Sequence, residues 1–271
     1  MDCHNISMHK NSRSGFTLIE LSVVLLVMSI MLGGILTIVT QTARIEKRNQ
    51  LNAKLERIRT AMMDFRLANN QLPCPGDITL ITSSSNFGRK ASVEGDCYSG
   101  AILSTYTVGA GATAVVGGSV PVRSLGLKDE DAYDPWGNLF LYVVDKRITA
   151  ASAFNEYPPT STSIGNITAL DLEGNTISSR VLYLVLSHGQ NGHGGYMRSG
   201  LRKSVGSTNT REQLNCHCNA SATATAFSAS FYKTLETTTS ASALDAFDDI
   251  VMLIFRNDML STAESVSETL K

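Results

Sequence analysis

A single carboxylate, Glu20, stands at the head of a long apolar run. An ionised carboxylate inside hydrocarbon costs about 2.5–3.5 kcal/mol on insertion scales, so its presence needs a cause. Four cysteines, Cys74, Cys97, Cys216 and Cys218, remain once Cys3 and the rest of the first fifteen residues are set aside. An even set fits disulfides in an oxidising compartment. Cys74–Cys97 is the expected pair, because both flank a loop-rich stretch without apolar packing. Closing that loop restricts the unfolded chain by about 3 kcal/mol in the loop-entropy description. Cys216–Cys218 is the second, in a very small ring. Cross-links between the two pairs stay open as the other connectivities.

Other side chains are suited to chemistry by type but not by pattern. His188, His193, Cys216, His217 and Cys218 are zinc-ligand types. Cys-x-Cys is tighter than the usual two-to-four-residue spacing, and oxidation consumes thiolates, so zinc is not expected. His188 and His193 read as solvated loop histidines. Ser187, His188 and Asp249 could be named as a triad, but no Gly-x-Ser-x-Gly elbow surrounds the serine. No Walker A loop or dinucleotide fingerprint is present. The sequence reads as a non-enzyme. Lys and Arg number 23 against 24 Asp and Glu, which leaves no basic footprint for nucleic acid. Charged residues make up 17% of 271, too few for a charge-driven disordered chain.

The elements that must position these groups begin with Leu21–Val39, which contains no charge and no proline. At 1.5 Å per residue it spans roughly 30 Å, one hydrocarbon core. A secretory signal has a shorter apolar region and a small-x-small cleavage site, here only weakly suggested at residues 40–43. Beyond Thr40 the pattern turns amphipathic: Leu51, Leu55, Ile58, Met62 and Phe65 recur three or four apart, with Lys54, Glu56, Arg57 and Arg59 as the solvated face. One helix from about Phe16 to Asn69 would be roughly 80 Å long. Gly33-Gly34 is a place for a bend or for close packing. Two prolines and a glycine in Leu72-Pro73-Cys74-Pro75-Gly76 end the helix.

The residues before the apolar run are Arg13-Ser14-Gly15-Phe16-Thr17-Leu18-Ile19-Glu20. This string resembles the leader of type IV prepilins and type II secretion pseudopilins: a short basic segment ending in glycine, then Phe-Thr-Leu-Ile-Glu and a hydrophobic helix. The resemblance implies cleavage after Gly15 by a prepilin peptidase on the cytoplasmic side and N-methylation of Phe16. It also implies that Glu20 meets the Phe amine of a neighbouring subunit during assembly. The new ammonium and Glu20 lie four residues apart, on one helical face. The positive-inside rule argues the other way: the leader has Lys10 and Arg13, whereas Arg44, Lys47, Arg48, Lys54, Arg57 and Arg59 follow the run. The motif requires the leader inside and overrides it.

From Thr82 to Gly118 the sequence is Ser-, Gly- and Thr-rich and reads as a long loop region with at most short strands. Leu139–Val144, Ile164–Leu172, Val181–Leu186 and Val251–Phe255 read as strands, with Glu173-Gly174-Asn175 turning the second into the third. Asn219–Ala243, mostly Ala, Ser and Thr, reads as a surface excursion. Asp134-Pro135-Trp136-Gly137-Asn138, the Ser187–Gly195 loop and Phe247-Asp248-Asp249-Ile250 together resemble the C-terminal half of major pseudopilins. That resemblance implies a calcium site drawing on Asn191, Asp248 and Asp249. Asn191 stands where the family loop has aspartate, which argues for weak or absent binding.

The expected fold is α+β and pilin-like: a long N-terminal helix, transmembrane in one half and amphipathic in the other, packed on a small antiparallel sheet. The expected boundaries are a leader at 1–15, a transmembrane half at 16–41, an amphipathic half at 42–71 and a periplasmic β-rich domain at 72–271. The resemblance implies a minor pilin or pseudopilin, single-pass in a bacterial inner membrane with its N-terminus cytoplasmic, and later in a filament. Its partners are then the prepilin peptidase, other pilin or pseudopilin subunits, the inner-membrane assembly machinery and membrane lipid, with no nucleic acid. Calcium is the one cofactor it allows. The contrasting reading is a membrane-tethered periplasmic binding or enzyme domain.

Overall fold

The computed structural model describes residues 15, 17–90, 97, 107–108, 115–151, 153–154, 165–224, 229–233, 247–255 and 258–259; side chains at 32–41 and 107–108 are not among them. The chain divides into two compact units, Met1–Arg48 and Asn49–Lys271. Helix α1, Leu18–Asn69, contributes to both and runs unbroken through Gly33 and Gly34.

In the first unit every described helical side chain from Leu18 to Met31 is exposed. Eleven of them, including Leu18, Ile19, Leu25, Leu26 and Ile30, are large and apolar. The two hydroxyls in this stretch are satisfied inside the helix: Ser22 donates to the Ile19 carbonyl at 2.8 Å and Ser29 to the Leu25 carbonyl at 2.7 Å. Such back-bonding lets serine sit in apolar surroundings without an orphan donor. Among the described residues no helix is long and apolar enough to cross a membrane. The side chains at 32–41, on which the expected transmembrane half also depends, lie outside the described residues.

In the second unit the predicted stripe is the buried one. Leu51, Leu55, Ile58 and Met62 join the same core as the sheet, and Phe65 is half-buried. Residues 42–50, expected to open the amphipathic half, are exposed. The supposedly solvated face is only partly so. The ammonium of Lys54 donates to the carbonyls of Glu130 at 2.5 Å and Tyr133 at 2.7 Å. Arg66 is buried, its guanidinium 4.8 Å from the ring centre of Phe154. Asn70, at φ 53°, takes the left-handed position after the helix, and its N–H bonds the Arg66 carbonyl.

Seven strands among the described residues form one sheet: β1 Thr107–Val108, β2 Val115–Ser119, β3 Leu141–Asp145, β4 Ile167–Leu170, β5 Thr176–Ser187, β6 Ser230–Tyr232 and β7 Ile250–Phe255. The order is β1-β2-β3-β5-β4-β6, with β7 also on β5. Strand β5 organises it. Its second half, Val181–Ser187, lies between β3 and β7 and is buried throughout, which explains the unbroken apolar run of Val181–Leu186. Leu186 stands opposite Leu141 on one side and Val251 on the other. Its first half pairs with β4 through the expected turn, where Asp171 Oδ1 accepts the N–H groups of Glu173 and Asn175.

The α+β class stands, but the sheet is mixed, because β4 and β6 run parallel. One loop expectation is corrected with it. The Asn219–Ala243 excursion contains β6, and Phe231 is fully buried there. At the end of the 82–118 region, β2 is one of the short strands expected there, and it pairs with β3 along five positions. Gly118 is needed in β2 because the strand passes Gly76 so closely that a Cβ would stand 2.3 Å from the Gly76 carbonyl oxygen. Leu139 and Phe140 precede β3 rather than belonging to it, since Leu139 bridges back to Tyr133 across the 134–138 turn.

Candidate functional site

The Ser187–Gly195 loop leaves the end of β5 and is held tightly from several directions. Gly189, Gly192 and Gly194 have φ of 62°, 67° and 73°. Their missing side chains also make room: a Cβ at 189 would lie 2.3 Å from the Asp248 carbonyl oxygen, and one at 192 would lie 2.6 Å from Asn138 Oδ1. The loop is therefore pressed against the 134–138 turn on one side and the residues entering β7 on the other. A third support is helix α2, Thr210–Asn215, capped by Asn209, whose side chain accepts from the Arg211 N–H.

Three carboxylates from these supports meet under the loop. One oxygen from each of Glu212, Asp248 and Asp249 lies within 4.8 Å of the others. Several of their oxygens are occupied. The Asn191 N–H donates to Asp248 Oδ2 at 2.8 Å, and its side-chain amide donates to Glu212 Oε1 at 2.6 Å. Ser207 Oγ donates to Glu212 Oε2 at 2.5 Å, and Asn215 Nδ2 donates to Asp249 Oδ2 at 2.9 Å. Asp248 Oδ1 and Asp249 Oδ1 are buried with no hydrogen-bond partner. His188 Nδ1, also without one, is 3.7 Å from Asp249 Oδ1.

Electrostatics follow from this crowding. Burial, then the charge of Asp249, pushes the Glu212 carboxyl up to about 8. Burial and the neighbouring Asp248 hold Asp249 well above the carboxylate range, and burial raises Asp248. Burial pushes His188 down to about 4, so its imidazole is neutral. A divalent cation would reverse the penalty on all three carboxylates. The donors are hard oxygens and two are orphaned, so the residues present fit calcium.

The structure thus brings Asp248 and Asp249 together and places Asn191 beside them, though not as an oxygen donor to the group. Its carboxamide oxygen accepts from the His193 N–H at 2.9 Å. The carboxylate that completes the set is Glu212, which sequence reasoning missed. Its sole local signal is its position in the first turn of a capped helix.

The cysteines are joined as Cys74–Cys97 (S–S 2.05 Å, Cα–Cα 5.6 Å) and Cys216–Cys218 (S–S 1.96 Å, Cα–Cα 5.3 Å). His188 and His193, expected in solvent, are both buried, because the loop folds inward over α2 and the 216–218 turn. Ser187 donates to Asp134 Oδ2 at 2.7 Å, so its hydroxyl is engaged by a carboxyl rather than by His188.

At the other end of the chain, Gly15 is exposed with open space around its Cα, while Phe16 lies outside the described residues. Thr17 precedes the helix and caps it. The Glu20 N–H bonds Thr17 Oγ1 at 3.3 Å, and that hydroxyl reaches Glu20 Oε2 at 3.4 Å. Thr17-x-x-Glu20 is the capping-box spacing, a local role for Glu20 that sequence reasoning overlooked.

Residues 10–36 match the family model for the prokaryotic N-terminal methylation motif. No curated protein and no solved structure matches the chain significantly. The motif supports a type IV prepilin- or pseudopilin-like protein, processed by a prepilin peptidase and carrying a membrane-anchoring N-terminal helix.

Proposed function

We propose that this prepilin-like chain is a minor pilin or pseudopilin, a structural subunit of a type IV pilus or type II secretion filament with a pilin-like fold. The peptidase cuts between Gly15 and Phe16. The helix stays in the bacterial inner membrane with its N-terminus cytoplasmic, and the domain from residue 72 onward stands in the periplasm until the subunit enters the filament. One observation carries this reading: the methylation motif at 10–36 contains the start of a helix whose described residues 18–31 expose an almost continuous apolar surface. A surface of that kind is stable in lipid or against other apolar helices, not in water. Glu20 accepts the hydroxyl of the capping Thr17 in the single chain and meets the amine of Phe16 of the next subunit in the filament.

In this reading the carboxylate group under the 187–195 loop is a calcium site. Glu212, Asp248 and Asp249 would hold the ion, which supplies the positive charge that lets them ionise together. Glu212 then provides the anionic oxygen that Asn191 lacks. The site would lock the loop, α2 and the start of β7 into one surface for contact with neighbouring subunits.

Mass spectrometry of the mature N-terminus tests the central claim. The expected product begins with methylated Phe16 when the native peptidase is present. Bulky replacement of Gly15 should leave an unprocessed precursor that still inserts. A mature chain beginning near Arg44 would establish ordinary signal cleavage and overturn the reading.

A further inference from the structure

The Cys216–Cys218 disulfide has surroundings that a covalent staple does not require. A bond between residues two apart removes little entropy from the unfolded chain, because the loop it closes is already short. Yet the pair is enclosed, with Cys216 0% and Cys218 2% exposed. Gly194 lies so near that a Cβ there would stand 2.6 Å from one sulfur and 2.8 Å from the other. His193 enters the same enclosure and is fully buried. Its Nε2 is 3.5 Å from Cys218 Sγ and 3.1 Å from the Asn219 carbonyl oxygen, while Nδ1 has no hydrogen-bond partner. One ligand atom from each of His193, Cys216 and Cys218 falls within 4.8 Å of the others. Arg202 borders the group, donating to the carbonyls of Cys216 at 2.6 Å and Gly194 at 3.0 Å.

We propose that this disulfide is the closed state of a redox-gated site for a thiophilic monovalent cation of the Cu(I) type, held in the reduced state by Cys216 Sγ, Cys218 Sγ and the His193 imidazole. Two thiolates and an imidazole are the soft donors that select such an ion. In the closed state His193 Nε2 donates to the Asn219 carbonyl, so ligation by Nε2 requires that bond to open and the proton to pass to Nδ1, which has no partner. Two thiolates and one monovalent cation leave a single net negative charge, and the Arg202 guanidinium stands beside it. A structural zinc ion would want a fourth ligand and wider cysteine spacing.

The gate opens by thiol–disulfide exchange with a dithiol reductant. One reductant thiolate attacks a protein sulfur and forms a mixed disulfide, and its second thiol displaces the protein thiolate. The reductant leaves as a disulfide after giving two electrons. Cys216 and Cys218 take up those electrons and two protons, and the protons are released when the cation binds. The proposal does not depend on the filament role or on the calcium site.

The test uses the full-length chain in detergent, reduced with dithiothreitol, freed of reductant without air, and titrated with Cu(I) against a coloured chelator. The reduced chain is expected to take up one Cu(I) with thiolate-to-copper absorption in the near ultraviolet, and the oxidised chain none. Cys216→Ser with Cys218→Ser should abolish uptake. His193→Gln leaves every thiol in place and should weaken binding about tenfold or more, on the scale of a lost metal-site partner. That comparison decides even if the double serine variant fails to fold. No uptake by the reduced chain would overturn the proposal. So would uptake that survives the double serine variant, placing the ion at the remaining Cys3, Cys74 and Cys97, or uptake indifferent to His193→Gln.

Discussion

Ser187 Oγ donates to Asp134 Oδ2 at 2.7 Å, across 53 positions of sequence. The same carboxyl accepts the N–H groups of Trp136 at 3.0 Å and Asn138 at 2.8 Å, and the Asn138 side-chain amide at 3.2 Å. Asn138 then passes a second bond to the Gly189 carbonyl at 3.1 Å. One buried aspartate therefore ties the turn before β3 to the loop after β5, the loop under which the carboxylate group lies.

Asp134→Ala should destabilise the domain by about 3 kcal/mol, since orphaned buried donors cost about 1–3 kcal/mol each. Ser187→Ala should cost about 1 kcal/mol, with a double-mutant coupling above about 0.5 kcal/mol. Urea unfolding measures both. A loss below about 1 kcal/mol for Asp134→Ala would mean that the glycine contacts alone hold the loop.

Stability of the metal-free domain should be nearly level between about pH 4.5 and 6.5, where Glu212 and His188 act oppositely, and fall as pH rises from 6.5 to 8 or drops below 4.5. Glu212 titrates about 8 when folded and 4.5 ordinarily, so the folded state binds more protons in between, and stability drops as pH rises through that window. His188 acts oppositely. Its pKa of about 4, against 6.5 ordinarily, makes the unfolded state bind more protons, so stability drops as pH falls from 6.5 to 4. Denaturation midpoints across pH 4–9 for Glu212→Gln should show a shallower fall above pH 6.5, with Asp248 and Asp249 supplying the remainder, and keep the acid one. An unchanged fall between pH 6.5 and 8 in that variant would remove Glu212 as a cause.

Calcium should raise the melting temperature at pH 8, and chelation should lower it. Binding to the native state alone stabilises by about 2.7 kcal/mol at a hundredfold excess over Kd. Asp249→Asn should abolish the shift. Asn191→Asp removes the amide donor to Glu212 and adds a negative charge, so it should lower the metal-free melting temperature and enlarge the calcium response. Absence of a shift in the unmutated chain and in Asn191→Asp alike would leave the group as structure only.

Cys74–Cys97 closes a loop of separation 23, for which the chain-entropy relation gives about 3 kcal/mol. Cys74→Ser with Cys97→Ser should lower unfolding free energy by about that amount. Non-reduced peptide mapping of the unmutated chain should yield the linked 74–97 peptide, and a Cys74–Cys216 peptide would contradict the pairing.

Glu20 has two roles that substitution can separate. Thr17→Ala removes the cap partner, worth about 1 kcal/mol of local helix stability, and should leave filament incorporation nearly intact. Glu20→Val should preserve or improve membrane retention, because it deletes a charge from apolar surroundings, yet reduce incorporation. Equal loss of incorporation in both variants would make capping the whole function of the motif's glutamate.

The sequence alone determined what depends on neighbours along the chain. The leader string, the three-and-four spacing of Leu51, Leu55, Ile58 and Met62, the stop after Asn69 and the apolar run of Val181–Leu186 each carry their reason locally: a cleavage motif, one helical face, two prolines, a strand buried on both faces. The Thr17-x-x-Glu20 cap was legible by the same logic. Tertiary structure decided what depends on groups meeting from distant segments. Nothing around Glu212 announces that α2 will carry it to Asn191, 21 residues away, or to Asp248 and Asp249. Nothing in the polar 219–243 stretch shows that Ser230–Tyr232 will pair parallel to β4 and bury Phe231. A histidine beside glycines looks solvated until the loop's left-handed residues turn it inward, as at His193. Burial, like-charge crowding and strand direction are properties of the assembled core. They come into being only when the chain has paid its entropy and closed.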